Sequence, residues 1–254
     1  MFLAITRAVS AAFASCELTH LARAPIDVDR ARAQHRAYEQ ALADAGASIR
    51  RLDASAEMPD SVFVEDIALV FPELAIVTRP GAESRRAEVP GVAAALAPLR
   101  PLREIQAPGT IDGGDVLVAG RRVFVGASTR TNDAAIAQLR QILGPLGYTV
   151  CATRVTGCLH LKSAVTAIDE GTLLVNRAWI EPAAFIGFTL VDVDPAEPQA
   201  ANAVRLGDRI IFPSAFPRTA RQLAARGLRV VTVDVDEIAK AEGAVTCCSL
   251  ILGA

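Results

Sequence analysis

Runs of β-branched and apolar residues, broken by short turns, recur along the chain. Residues 62–70 with 74–78, 115–118 with 123–125, 165–168 with 173–175, and 203–206 with 210–212 each read as two strands joined by a tight reversal. Gly or Asp stands in the turns at Gly120, Gly171 and Gly207-Asp208, as a hairpin requires. Apolar spacing changes to a helical period at Ile136, Ala137, Leu139, Ile142 and Leu143. Helical segments are predicted at 85–99, 132–143 and 217–226, each leading into a further strand, at 102–105, 148–153 and 228–233. The N-terminal region supplies a strand at 2–6, a helix near 27–45 and a strand at 48–52, while a strand at 245–252 ends the chain with no partner after it. Pairing the last strand with the first completes a fifth unit. The landmarks Val62, Val116, Val165, Val204 and Val245 recur about every 40–55 residues, within the range of repeat architectures. The pattern therefore predicts an α/β ring of five units, whose closure leaves no long exposed sheet edge. An ordinary α/β sandwich is the alternative.

Composition narrows the function classes. The 254 residues carry 26 Lys+Arg against 28 Asp+Glu, a formal net charge of −2, which excludes the basic excess of a nucleic-acid binder. No apolar stretch reaches the roughly 18 residues of a membrane span, and Arg7 interrupts the apolar opening, so a mature N-terminus is expected. Cys16, Cys151, Cys158, Cys247 and Cys248 form an odd set that suits a reducing cytoplasm better than a disulfide framework. They lack zinc-site spacing, so neither a structural metal nor a cofactor is expected. Only His20, His35 and His160 are available for imidazole chemistry.

If the units are equivalent, the starts of their first strands meet at one mouth. There the sequence places Asp60 with Glu65-Asp66, then Asp112-Gly113-Gly114-Asp115, His160 within Leu159-His160-Leu161-Lys162-Ser163, and Cys247 within Thr246-Cys247-Cys248-Ser249. Taken singly, each has a plain structural reading: Cys as core filler, His160 as a satisfied core imidazole, the glycines as a tight backbone, the acids as a solvated strand end. Together they supply the thiol, proton carrier and orienting group of nucleophilic catalysis. Carboxylates beside a thiol oppose its ionisation unless a cation enters. A planar guanidinium, matched to carboxylates by paired hydrogen bonds, fits that need. Arg85 and Arg130 are candidates to bind a carboxylate at its far end, or are surface charges at helix starts.

Five motifs in one order carry a resemblance: Val62-Phe63-Val64-Glu65-Asp66, Ile76 to Ala82 with Ser84-Arg85-Arg86, Asp112-Gly113-Gly114-Asp115-Val116, Leu159-His160-Leu161-Lys162-Ser163 and Thr246-Cys247-Cys248-Ser249. They resemble dimethylarginine dimethylaminohydrolase, of the pentein superfamily of guanidine-modifying enzymes; residues 179–202 match least. The resemblance implies one pentein catalytic domain over 1–254, a five-fold pseudosymmetric α/β propeller of ββαβ units closed by pairing of the terminal strands. It implies hydrolysis of Nω-methylated arginines to citrulline through a covalent thiouronium, with Cys247 as nucleophile, His160 as proton carrier and Asp112 orienting His160. Asp66 and Glu65 would hold the guanidinium, Asp60 the α-amine with the carbonyls of Leu18 and Ala241, and Arg85 and Arg130 the α-carboxylate. Leu18 would lie on a lid, and Cys248 would point to the opposite face of the last strand. Arginine deiminase chemistry, an amidinotransferase and a non-catalytic arginine-binding ring are the rivals. The expected partner is a small-molecule substrate, with no nucleic acid or membrane; a homodimer stays open. Zn²⁺ would inhibit by bridging Cys247 and His160, whose soft and borderline donors suit it.

Overall fold

The computed structural model describes residues 2–253, a mixed α/β structure built on five three-stranded sheets. The first contains β1 (Phe2–Arg7) at its centre, parallel to β2 (Ala47–Leu52), with α1 (Val28–Asp44) crossing between them. The second pairs β3 (Ala68–Val70) antiparallel with β4 (Ala75–Val77), then runs through α2 (Val89–Leu96) to β5 (Leu102–Glu104), parallel to β4. The third repeats this with β6 (Val116–Ala119), β7 (Arg122–Ala127), α3 (Asp133–Leu143) and β8 (Thr149–Arg154). In the fourth, α4 (Leu161–Ala164) leads into β9 (Val165–Asp169) and β10 (Thr172–Val175), and β11 (Thr189–Asp192) lies parallel to β10. The fifth has β12 (Val204–Leu206), β13 (Arg209–Pro213), α5 (Pro217–Ala225) and β14 (Arg229–Val233). After α6 (Asp236–Ala239) the chain ends in β15 (Leu250–Leu252), which pairs antiparallel with β1, Ala4 opposite Ile251, as the terminal pairing required.

The helices form where the apolar period and the caps agree. Asp27 accepts the amide of Arg30 at the start of α1, and Asn132 accepts that of Ala135 at the start of α3, each satisfying an orphan helix donor. α3 buries Ala135, Ile136, Leu139 and Leu143, the face read from the sequence. One cavity of about 270 Å³ is lined by a strand from each of the five sheets: β3, β6, β9, β12 and β15.

The structure departs from five expectations. The strand at 62–70 is only β3, because Val64–Ile67 forms a 3-10 turn that buries Glu65 and Asp66. The strand at 245–252 is only β15, the residues before Leu250 forming turns. Cys248 therefore does not alternate along a strand, although it is buried. The helix at 85–99 divides into a 3-10 turn, Glu83–Glu88, and α2, because Pro90 is accepted only in a first helical turn. In the fourth sheet the parallel connection carries a 3-10 turn at Pro182–Phe185 instead of a helix.

Candidate active site

The chemistry sits in the turns that precede the inner strands. Val64–Ile67 precedes β3, Gly113–Asp115 precedes β6, α4 precedes β9, and the turn containing Cys247 precedes β15. Their close approach requires glycine. A Cβ on Gly113 would fall 2.0 Å from the Glu65 carbonyl oxygen, and one on Gly114 would fall 2.6 Å from Nδ1 of His160. The Gly114 amide donates to Oδ1 of Asp66 at 2.9 Å, and the Glu65 amide donates to the Cys247 carbonyl at 3.1 Å.

One pocket is walled by Cys247, His160, Asp66, Asp60, Arg85, Arg130 and Ala241, together with Glu17, Phe63, Leu159, Glu242 and Gly243. Nε2 of His160 lies 3.2 Å from Oδ2 of the fully buried Asp112, whose Oδ1 accepts the Gly81 amide at 2.8 Å. Nδ1 lies 3.9 Å from Asp66. Burial alone would strip the proton from this imidazole. Asp66, the Asp112 hydrogen bond and Asp115 outweigh it and carry the pKa up to about 9. Asp66 is also opposed by burial, but His160, Arg85 and the Gly114 amide hold it down at about 2. Burial, with Glu65 and Asp66, pushes the Cys247 thiol up to about 12, so without a ligand it is a thiol at neutral pH.

The two arginines have different environments. Arg85 is buried, pairing with Glu88 through Nε and Nη2 and with Asp66 through Nη1 at 2.5 Å, while Nη2 also reaches the carbonyls of Phe63 and Asp60. It is no surface charge, and of its five N–H groups one on Nη1 is left for a ligand. Arg130 is freer: Nη2 donates to Oγ1 of Thr19 at 3.1 Å, and Nη1 lies 3.6 Å from Asp112. Asp60 accepts the Glu17 amide on both oxygens at 3.2 Å; burial raises its carboxyl to about 6 against the opposing Arg85 charge.

Glu65 turns away from this pocket. Its carboxylate binds Nζ of Lys162 at 2.6 Å and Oγ1 of Thr246 at 2.7 Å, and all three line the cavity between the five inner strands. Leu18 is half-buried against the core and does not line the pocket; its neighbours Glu17 and Thr19 make the polar contacts. Asp66, Asp112 and His160 could offer one ligand atom each within 4.8 Å. A protonated His160 and the flanking guanidiniums make that spot unfavourable for a cation.

Several supporting residues were given no role from the sequence. Asp115 accepts the hydroxyls of Ser128 and Thr131 and the Leu161 amide, tying β6 to the start of α4 just after His160. Asn202 holds Thr246 from both sides, through its amide and its hydroxyl, and also binds the Lys162 carbonyl. Its position just before the fourth hairpin, equivalent to those of the other site turns, was the available signal. Glu242 shares the pocket wall with Ala241 and had no motif to mark it.

No family model matches the chain. A dimethylarginine dimethylaminohydrolase from Streptomyces coelicolor is 42% identical over 251 residues, covering 98% of this chain and 96% of that protein. The chain belongs to the dimethylarginine dimethylaminohydrolase family. The Pseudomonas aeruginosa dimethylarginine dimethylaminohydrolase is 36% identical over 226 residues, covering 88% of this chain and 89% of that one. A solved structure of the Pseudomonas aeruginosa enzyme, a cysteine-to-serine mutant complexed with citrulline, superposes with a TM-score of 0.94 at 34% identity, covering 99% of this chain and 100% of that one. The N-terminal domain of ArgZ, an arginine dihydrolase, superposes at a TM-score of 0.89 and 19% identity, covering 98% of this chain and 97% of that one, and shares the fold.

Proposed function

We propose that this chain hydrolyses Nω-methylated L-arginines to L-citrulline and methylamine or dimethylamine, with Cys247 as nucleophile. The observation that carries the reading is the meeting of the Cys247 thiol, the Asp112-held His160 and the Asp66 carboxylate in one buried pocket. A guanidinium entering against Asp66 supplies the opposite charge that the thiol lacks, lowers its pKa, and sends its proton to solvent. The thiolate adds to the guanidinium carbon. His160, already protonated, gives its proton to the departing amine as the C–N bond breaks, leaving a cationic thiouronium. Neutral His160 then takes a proton from the attacking water, the C–S bond breaks, and a second proton is shed as citrulline forms and the Cys247 thiolate is released.

At the other end of the substrate, Arg130 with the remaining Nη1 hydrogen of Arg85 takes the carboxylate, and Asp60 with the Ala241 carbonyl takes the ammonium; the Leu18 carbonyl, outside the pocket wall here, joins them when substrate binds. Glu65 acts at one remove, holding the turn that carries Cys247 through Thr246. We further propose that the five sheets form a single five-fold pseudosymmetric propeller over 1–254, which the cavity shared by the five inner strands supports. Among the described residues no helix is long and apolar enough to cross a membrane, and all five cysteines are free, which fits the reducing cytoplasm where we place the chain. The test is product analysis with asymmetric dimethylarginine. Equimolar citrulline and dimethylamine support the reading; an amidino group transferred to an added amine, or no turnover at all, overturns it.

A further inference from the structure

Residues 17–25 run along the rim of the pocket, Glu17 lining it and His20 and Leu21 lining the adjoining cavity, without burying a single side chain, and Leu21 is 51% exposed. Such a segment has little apolar contact to hold it and belongs to the least stable part of a fold. Against this, the Glu242 carboxylate accepts three consecutive backbone amides from it: Thr19 on Oε2 at 2.9 Å, His20 on Oε1 at 2.5 Å and Leu21 on Oε1 at 2.6 Å. Hydrogen bonds to an ionised acceptor are the strong class. Glu242 is also the one non-glycine among the described residues with positive φ, at 58°. It stands just past the end of α6, where glycine or asparagine usually takes the left-handed conformation. A glutamate kept in that conformation needs a reason, and its three amide partners are one.

The pocket is partly open to solvent and leaves only about 20 Å³ of water-sized space between its walls, so an arginine fits more readily when one wall gives way. The walls formed by Asp66, Asp60 and Arg85 are buried and cross-linked, whereas Glu17 and Glu242 are the side supplied by the strap and its tie. Arg130 reaches the same strap through Thr19.

We propose that Glu242 is a positioning residue for the reaction: its carboxylate latches residues 19–21 along the rim of the pocket, and the same turn fixes the adjacent Ala241 carbonyl. This deepens the function proposed above and rests on it for its kinetic consequences alone. The latch itself is a statement about three amides.

The experiment compares wild type with Glu242→Gln and Glu242→Gly. Glycine adopts φ 58° freely, so that variant removes the carboxylate without backbone strain and keeps the fold testable. Hydrogen exchange is followed at the amides of Thr19, His20 and Leu21, with the β1 and β13 amides as internal controls. Exchange at the three amides at least tenfold faster in Glu242→Gly, with control amides unchanged and Glu242→Gln in between, supports the latch. Equal exchange at those amides in all three proteins overturns it. With asymmetric dimethylarginine as substrate, KM should rise about tenfold or more in Glu242→Gly while kcat changes less than threefold. A matched fall in kcat with KM unchanged overturns the positioning role. Failure of wild type to form citrulline would overturn the proposed function and leave the exchange result to decide the latch.

Discussion

At Gly114 a hydrogen atom stands where any other residue would carry a methyl group 2.6 Å from the His160 ring. Gly114→Ala must displace the imidazole or the Asp66 turn. Because misplacements of about 1 Å can cost about 100-fold, kcat/KM for methylarginine should fall at least that far, measured by citrulline release. His160→Ala removes the proposed proton carrier and should cost about 10²–10⁴ in kcat. Cys247→Ser should abolish turnover, whereas Cys248→Ser, at a buried side chain near the Ala244 carbonyl, should be far milder. The His160 pKa near 9 predicts that kcat/KM falls above about pH 9 as the imidazolium is lost. The high Cys247 pKa predicts slow alkylation by iodoacetamide at pH 7 and faster alkylation by a cationic haloacetamidine. The opposite order of rates would contradict the charge argument. Arg130→Ala should raise KM about 10- to 100-fold with little change in kcat, since its proposed partner is the substrate carboxylate, remote from the reacting carbon.

At the scale of elements, the hairpins, the third strands of four sheets and the pairing of β1 with β15 were legible in the sequence, whereas β11 was not. Each depends on local alternation and turn residues, as in β6 and β7 or β12 and β13. The site turns were not. Val62-Phe63-Val64 and Val245-Thr246 carry β-branched and aromatic residues that read as strand, but hydrogen bonds made by buried Glu65, Asp66 and Asn202 hold the chain in turns there. The candidate residues, Leu18 and Glu65 apart, nonetheless meet in one pocket or, for Asp112, against its His160, because turns at equivalent places converge whichever local conformation they adopt. What pattern could not reveal was the division of labour between two arginines. Only the contacts tell that Arg85 is committed to Glu88 and Asp66 while Arg130 is available. The central place of β1 in its sheet carries its own prediction. Ala4 is fully buried at the centre of a sheet and lies opposite both Ile251 and Ile49. Ala4→Pro removes a ladder donor there and leaves a buried carbonyl unsatisfied, which should cost about 1–3 kcal/mol. For a chain of this size that lowers Tm by roughly 2–12 °C, read by thermal unfolding.

Over the whole molecule, the buried ion cluster links the site to stability. His160 has a folded pKa raised from 6.5 to about 9, so its contribution is complete below 6.5 and is lost as pH rises through 9. Asp66 is depressed from 3.8 to about 2, so its contribution is present above 3.8 and lost as pH falls through 2. Tm should therefore decline between pH 7 and 9.5 in wild type and decline less in His160→Ala; equal slopes would contradict the coupling. The account as a whole rests on one chemical outcome. Purified enzyme is given asymmetric dimethylarginine and arginine in parallel, and kcat/KM is measured from citrulline together with the released amine. The account predicts citrulline and dimethylamine in equal amounts, with kcat/KM for dimethylarginine above that for arginine. Turnover of arginine faster than of the methylated substrate, or citrulline from neither, would contradict it.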